Sequence, residues 1–350
     1  MVEALIIGGG ISGAVTAMAL RKAGVSAVVY EAYPTGAADV GAFLTIMHNG
    51  MDALRAIEAH HPVIGNSFPA NGIELVSANG ETVGERRFEQ LGVTSPRTTT
   101  RARLYAALHE ETARRGIRIE HGRRFVRATT TSAGVTAHFE DGGTAHGDVL
   151  IGADGIHSAV RAAIDPDAPR PRYTGLNIVY GYTRSASIPA ASEIYRMIQG
   201  ERAFFGYTTA PDGQTYWFSR IPGPERDRAE LAATTPAEWR EQAIEAFAGD
   251  RTPSVGIIRS TGDDVYGGHA YDVPTTPVWS TGGMVLVGDA AHAASPAAGQ
   301  GASMALEDSV VLAQCLRDLP DTPAAFSAYE GLRRQRVERL VATSAGQVSE

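Results

Sequence analysis

Residues 5–24 read LIIGGGISGAVTAMALRKAG, an apolar run that ends in glycines and passes directly into a helical pattern. Residues 4–7 predict a fully buried strand, 13–23 a helix and 25–30 (VSAVVY) the next parallel strand, so the chain opens as a βαβ unit. Gly8, Gly10, Ile11, Ser12 and Gly13 line the turn between the first strand and the helix. Glycine there permits a tight turn, close approach of the backbone to a pyrophosphate, and close packing of helix on strand. Unpaired amides and the positive end of the helix dipole favour an anion at that place. Glu31 closes the second strand, where a carboxylate accepts both ribose hydroxyls of an adenosine. The combination points to an adenine dinucleotide without separating NAD from FAD.

The bulk of the chain agrees with a small-molecule partner. It has 350 residues and a formal net charge of −8, which offers no basic stripe to nucleic acid and no basic run to an anionic membrane. Lys22 is the only lysine, so arginine supplies the rest of the 31 basic residues. Cys315 is alone and forms no internal disulfide, and the apolar stretches fall short of the roughly 18 residues of a membrane helix. The expected compartment is the cytoplasm. Histidines are scattered without metal-ligand spacing, and there is neither a Gly-x-Ser-x-Gly elbow nor a phosphate loop ending in Gly-Lys-Ser/Thr, which argues against a metal site, a hydrolase and an NTPase.

Beyond the βαβ unit, residues 41–60 predict a strand and helix that break near Pro62 and Gly65. Residues 72–77 and 82–88 flank Asn79-Gly80 as a hairpin, and 102–115 form a helix stopped by Gly116. The strands 117–120, 123–130, 134–140 and 144–151 then make a β-meander. From 172 to 221 alternating, aromatic-rich segments predict an antiparallel sheet with one face covered, a candidate platform on which Tyr207 and Trp217 would stack on a planar substrate or simply pack as core. A helix near 235–248, a strand at 283–287 and a long helix at 300–317 bring the chain back to its first domain. The fold class is therefore α/β: a Rossmann-like dinucleotide domain with a β-meander (1–65, 98–170, 281–350), interleaved with an antiparallel-sheet substrate domain (66–97, 171–280) and closed by a C-terminal helix.

The stretch VLVGDAAHAASPAAGQGASMALEDS separates the two dinucleotides. Asp289 stands at the carboxyl end of a strand, where crevice ligands bind in open α/β sheets, and a carboxylate there accepts a ribityl hydroxyl. Amides at Gly299, Gln300, Gly301 and Ala302 would face the pyrimidine edge of an isoalloxazine and stabilise the charge of the reduced ring. Nicotinamide needs neither contact.

With these residues in view the chain resembles the class A flavoprotein monooxygenases, the para-hydroxybenzoate hydroxylase family of FAD enzymes. Four separated motifs carry the resemblance: the glycine turn with Glu31; RARLYAAL, with Arg101, Leu104 and Leu108; IGADGIHSAVR, with Asp154, Gly155, Ser158 and Arg161; and GDAAHAASPAAGQG. It implies Arg101 on the pyrophosphate and ribityl side, Asp154 and Gly155 at the adenosine and pyrophosphate end, Gly41 and Ala42 against the ring system, and the backbone near Val126 against adenine. It places Pro296 before the flavin-facing helix and His48 near the flavin, where a histidine deprotonates a phenol or is an ordinary structural histidine. Ser303 stands where many relatives carry asparagine. The implied reaction is hydroxylation of an aromatic or polycyclic small molecule by dioxygen through a C4a-hydroperoxyflavin, with NADH or NADPH as a transient donor. A related oxidase, reductase or halogenase and a non-catalytic flavin-binding module stand as alternatives.

Overall fold

Strand Glu3–Ile7 has no polar side chain after its first residue, and the computed structural model buries it on both faces at the centre of a parallel sheet. Ile6 pairs with Val29 on one side and Ile151 on the other. The order across this sheet is Ser280–Thr281, Met284–Leu286, Val149–Gly152, Glu3–Ile7, Ser26–Tyr30 and Arg118–Glu120, parallel throughout except at the edge strand Ser280–Thr281. Helices Ile11–Lys22, Arg101–Arg114, Gly301–Asp318 and Thr322–Gly346 belong to the same body. The structure describes residues 2–35, 41–88, 95–184, 193–295 and 299–346.

The chain packs as two compact units. One comprises Met1–Ser67, Thr99–Arg172 and Tyr271–Glu350; the other comprises Phe68–Thr98 and Tyr173–Ala270.

Within the first unit the expected strand at 144–151 is two strands. Thr144–Gly147 completes a three-stranded antiparallel meander with Phe125–Thr131 and Gly134–Phe139, whereas Val149–Gly152 enters the central sheet. Asp148 makes the break, because its carboxylate accepts the Glu3 amide at 2.7 Å while its own amide donates to the Glu3 carbonyl at 2.8 Å. Pro62 does not break structure. It sits in the first turn of helix His60–Gly65, where a missing amide is tolerated. Helix Arg101–Arg114 starts where Thr100 accepts the Arg103 amide.

The second unit is a seven-stranded sheet in the order Val265–Asp272, Arg172–Thr183, Thr215–Pro222, Phe204–Thr209, Ile194–Gln199, Gly72–Ser77 and Thr82–Arg87. It departs from the expected antiparallel arrangement at one pair, Ile194–Gln199 beside Gly72–Ser77, which run parallel. Helices Pro236–Ala246, entered through a Thr235/Glu238 capping box, and Ser254–Arg259 cover one face. Trp239 of the first of these helices packs into one core with Trp217, Phe205 and Val265 of the strands.

Candidate functional site

The glycine turn is built by contact as much as by conformation. Gly8 has φ of +103°, and a Cβ there would run into the Ala153 carbonyl; a Cβ on Gly13 would overlap the Gly8 carbonyl. Gly10 is different, since a Cβ would meet nothing within 4 Å. The space it leaves lies at the start of helix Ile11–Lys22, which has no side-chain cap and no acidic residue in its first turn. The Ser12 hydroxyl is buried there without a hydrogen-bond partner. Open amides, a cradle and an unsatisfied hydroxyl together suit a phosphate.

Glu31 lies at the rim of this turn and is 7% exposed. One carboxylate oxygen accepts the Gly9 amide at 2.7 Å and the other the Tyr33 amide at 2.9 Å, which fixes the group and leaves a lone pair on each oxygen. The Arg123 amide donates to the Glu31 carbonyl at 2.8 Å, bringing the entrance of strand Phe125–Thr131 to the same end. Val126, on that strand, is 51% exposed. His109 supports the turn from below: its Nε2 lies 2.6 Å from the Gly9 carbonyl, and its ring stacks on Tyr105 at 3.9 Å. Burial pushes its pKa down, so the neutral ring donates to that carbonyl. The sequence reading did not single out His109; its spacing of four from Tyr105 on one helix is the only local signal.

The chain's distant acidic motif arrives at the same place. After strand Met284–Leu286, Gly288 adopts φ of +59°, and a Cβ on it would lie 2.9 Å from the Ser12 hydroxyl and 3.0 Å from Ala305. Asp289 follows, exposed, with every residue from Met284 to Gly288 buried behind it. The loop is anchored by Asp308, a fully buried carboxylate on helix Gly301–Asp318. Asp308 accepts the Gly288 amide at 2.9 Å, His292 Nε2 at 2.5 Å and Arg333 Nε at 2.7 Å. Burial alone would raise its pKa, but the charges and hydrogen bonds of His292 and Arg333 hold it below the ordinary carboxylate value. Burial likewise works against a charged His292, and the Asp308 carboxylate overcomes it to keep that pKa raised.

IGADGIHSAVR closes the cluster. The Asp154 carboxylate accepts the Ser158 hydroxyl at 2.5 Å and the amides of Ala159 and Val160 at 2.7 and 3.1 Å, so its side chain caps helix Ala159–Ile164. A Cβ on Gly155 would meet nothing within 4 Å. Arg161 is buried and donates to the carbonyls of Ala290 and Ile156 at 3.0 and 2.5 Å, tying this turn to the Asp289 loop.

A third approach comes from the Gly41 segment. The Arg101 amide donates to the Ala42 carbonyl at 3.0 Å, and a Cβ on Gly41 would come within 2.7 Å of the side chain of Arg101, an exposed residue. Ser303 accepts the Met47 amide at 2.9 Å, which joins the start of helix His48–Ala56, and so His48, to helix Gly301–Asp318. Gln300 begins that long helix without a side-chain cap, and no acidic residue occupies its first turn. Pro296 lies outside the described residues. Among the described residues there is no group of three or more His, Cys, Asp or Glu side chains able to hold a metal, and no helix is long and apolar enough to cross a membrane.

Tyr207 and Trp217 do not take the platform role considered for them. Both lie on the helix-covered face, 3% and 0% exposed, with Trp217 Nε1 donating to Thr261 and the Tyr207 hydroxyl taken by Arg196. Strand residues alternate in direction, so the opposite face carries Tyr216 and Phe218.

Three elements far apart in sequence thus converge, within one unit, on an open glycine turn, an exposed carboxylate at a strand end and an uncapped helix start, which defines a flavin-dinucleotide protein. The chain matches the family described as FAD binding domain over residues 1–344, and it belongs to that family. It is 31% identical to aurachin C monooxygenase/isomerase of Stigmatella aurantiaca, covering 97% of this chain and 87% of the relative. It is 30% identical to 3-amino-4-hydroxybenzoate 2-monooxygenase of Streptomyces cremeus, covering 96% and 84%. The crystal structure of Klebsiella pneumoniae HpxO complexed with FAD and uric acid superposes with a TM-score of 0.88 at 27% identity, covering 99% of this chain and 88% of that one. The protein is an FAD-dependent monooxygenase of the para-hydroxybenzoate hydroxylase type.

Proposed function

We propose that the chain hydroxylates a planar aromatic small molecule with one atom of dioxygen, using NADH or NADPH as donor, and that FAD spans the Gly8–Gly13 turn and the Asp289 loop. The observation that supports this reading is the approach of Gly288, the residue before the exposed Asp289, to Ser12 at the open helix start. FAD, when bound, supplies the redox and oxygen chemistry.

The residues divide the work of holding it. Amides at the start of helix Ile11–Lys22, with the unsatisfied Ser12 hydroxyl, would hold the pyrophosphate, and the exposed residue Arg101 would supply a guanidinium to pair with it. Glu31, already immobilised by two amides, offers its remaining lone pairs to the ribose hydroxyls. Asp289 accepts a ribityl hydroxyl, and the uncapped start of helix Gly301–Asp318 directs its positive end at the ring edge where negative charge develops. Asp308, Arg161 and Ser303 hold these pieces in register, the preorganisation that an oxygen-transfer site requires if reduced oxygen is not to escape to water.

The test is purification with bound FAD followed by NADH oxidation under isotopically labelled dioxygen across a panel of aromatic metabolites. Label in a hydroxylated product is expected. Protein that takes up no FAD, or NADH oxidation that yields only hydrogen peroxide with every aromatic tried, would refute it, and a reductase, oxidase or binding module would take its place.

A further inference from the structure

Four of the protein's twelve tyrosines form a line across the sheet of the second unit. Tyr216, on strand Thr215–Pro222, is 2% exposed, and its ring meets Tyr182 of strand Arg172–Thr183 edge-on with centroids 5.0 Å apart. Tyr180, two residues along the same strand, follows at 6.2 Å, and Tyr266 of the edge strand Val265–Asp272 stacks on Tyr180 at 5.2 Å. Tyr266 is 49% exposed, and its hydroxyl donates to the carboxylate of Asp264, an exposed residue. Burial holds the Tyr182 pKa well above the ordinary phenol value, so that ring keeps its proton. The line runs from a ring enclosed in protein to one that meets water.

The helix-covered face of the sheet shows what packing alone requires. There Trp217, Phe205 and Phe247 are fully buried, with ring centroids 5.6 and 5.3 Å apart, and they form an enclosed group that stops short of the surface. Phenyl rings would fill space in the tyrosine line equally well, whereas a phenol in the interior brings a hydroxyl that must be satisfied. What phenol adds is redox chemistry. It yields an electron far more readily than phenyl does, and the phenoxyl radical so formed passes between rings in near contact. A site that activates dioxygen is exposed to reduced oxygen whenever water enters, and one-electron reduction of peroxide gives hydroxyl radical.

We propose that Tyr216, Tyr182, Tyr180 and Tyr266 form a relay that carries oxidising equivalents from the interior of the second unit to its surface. An oxidant of the oxygen-radical class, such as hydroxyl radical, takes a hydrogen atom from the Tyr216 phenol and leaves as water. The Tyr216 phenoxyl regains an electron and a proton as Tyr182 loses them, and Tyr182 regains them in turn as Tyr180 loses them. At the outer step Tyr266 gives its electron to Tyr180 and its proton to the Asp264 carboxylate, while the part-exposed Tyr180 takes up a proton from water, which Asp264 replaces. A soluble thiol then returns a hydrogen atom to the Tyr266 phenoxyl, and two thiyl radicals join as a disulfide. The relay goes beyond the hydroxylase reading, which it needs as the source of oxidant but not for the path.

The experiment uses the FAD-loaded chain with Tyr216 replaced by 3-aminotyrosine, a ring of nearly the same shape that is easier to oxidise and whose radical has its own spectrum. Photogenerated ruthenium(III) tris-bipyridine, too bulky to enter the protein, is the oxidant. The reporter draws oxidising equivalents inward along the path by which they otherwise leave, and its radical is read by transient absorbance and electron paramagnetic resonance. The aminotyrosyl radical should form with the line intact. Tyr180→Phe and Tyr266→Phe should each lower its yield at least fivefold, and Tyr33→Phe, at an exposed tyrosine outside the line, should leave it unchanged. Tyr266 is exposed, so its variant tests the line without disturbing the core, and melting temperatures within a degree or two of one another confirm that each variant is folded. The proposal is overturned if no aminotyrosyl radical forms, if either phenylalanine variant within the line keeps the yield, or if Tyr33→Phe lowers it equally. No step of the test uses NADH or turnover, so absence of oxygen incorporation would count against the hydroxylase reading alone.

Discussion

Replacing Asp308 by asparagine keeps the shape of the side chain and removes the charge at the centre of a fully buried cluster. The carboxylate accepts from three donors, the Gly288 amide, His292 and Arg333, at 2.9, 2.5 and 2.7 Å. An asparagine oxygen retains part of this, but its amide nitrogen is a donor and turns toward groups that are themselves donors. Breaking a buried ion pair on one side costs about 3–5 kcal/mol. Arg333 still has Glu307 at 3.0 Å and the Met304 carbonyl at 3.2 Å, and His292 can give up its proton, so the expected loss lies at the lower end, about 3 kcal/mol. The loss has a pH signature. The folded-state pKa of His292 is raised, so the stability it contributes is complete below its unfolded value, roughly 6.5, and disappears as pH rises through the folded value. Asp308→Asn abolishes that contribution, and the gap between wild type and variant therefore narrows with rising pH. Urea unfolding by circular dichroism and tryptophan fluorescence, on flavin-free protein from pH 6 to 9, measures both quantities. A gap below about 1 kcal/mol at pH 6, or one that widens as pH rises, would refute the assignment of Asp308 as the charge that anchors the Asp289 loop. Adding Arg333→Met should restore part of the loss, since a cluster emptied of both charges leaves fewer unpaired groups.

Other outcomes follow from the same geometry. Asp289→Asn should leave flavin-free stability within about 0.5 kcal/mol, because the side chain is exposed, while weakening FAD at least about tenfold by equilibrium dialysis. Gly13→Ala drives a Cβ into the Gly8 carbonyl and should forfeit FAD retention through gel filtration, whereas Gly65→Ala, where a Cβ meets nothing within 4 Å, should retain it. The depressed pKa of His109 means that the unfolded chain takes up its proton first, so stability is full above about pH 6.5 and falls as pH drops toward the folded value; His109→Gln should flatten that acid limb in thermal melts.

The dinucleotide turn was legible because its physics is local. A strand, three glycines and a helix start occupy one short stretch, and each glycine has a contact or a void that explains it. Asp289 was legible for a similar reason, as a carboxylate at the end of an apolar strand. The supporting layer was not. Asp308 reaches Gly288 and His109 reaches the Gly9 carbonyl across separations that no periodicity encodes, and in the sequence each is one more polar residue on a helix. Asp154 shows how a residue singled out by resemblance is held locally. The resemblance pointed to Asp154 and Gly155 together; the Asp154 carboxylate accepts the first amides of helix Ala159–Ile164, whose N-cap is Ser158, and Gly155 leaves open space beside it.

The sheet of the second unit shows where pattern reading stops and what would have carried it further. In TYWFSRIP both alternating sets contain aromatic residues, so period two separates Trp217 from Tyr216 and Phe218 without saying which set lies under helices. Glycines lie against aromatic rings on both faces. A Cβ on Gly181 would come within 3.0 Å of the Trp217 ring, and one on Gly267 would overlap the Trp239 ring. A Cβ on Gly206 would come within 2.4 Å of the Phe218 ring on the other face, so it is the covering helices Pro236–Ala246 and Ser254–Arg259, and not the glycines, that make Trp217 core. Trp217 and Tyr207 are then core, and the face left for other partners is the one that carries Tyr216, Phe218 and Arg220.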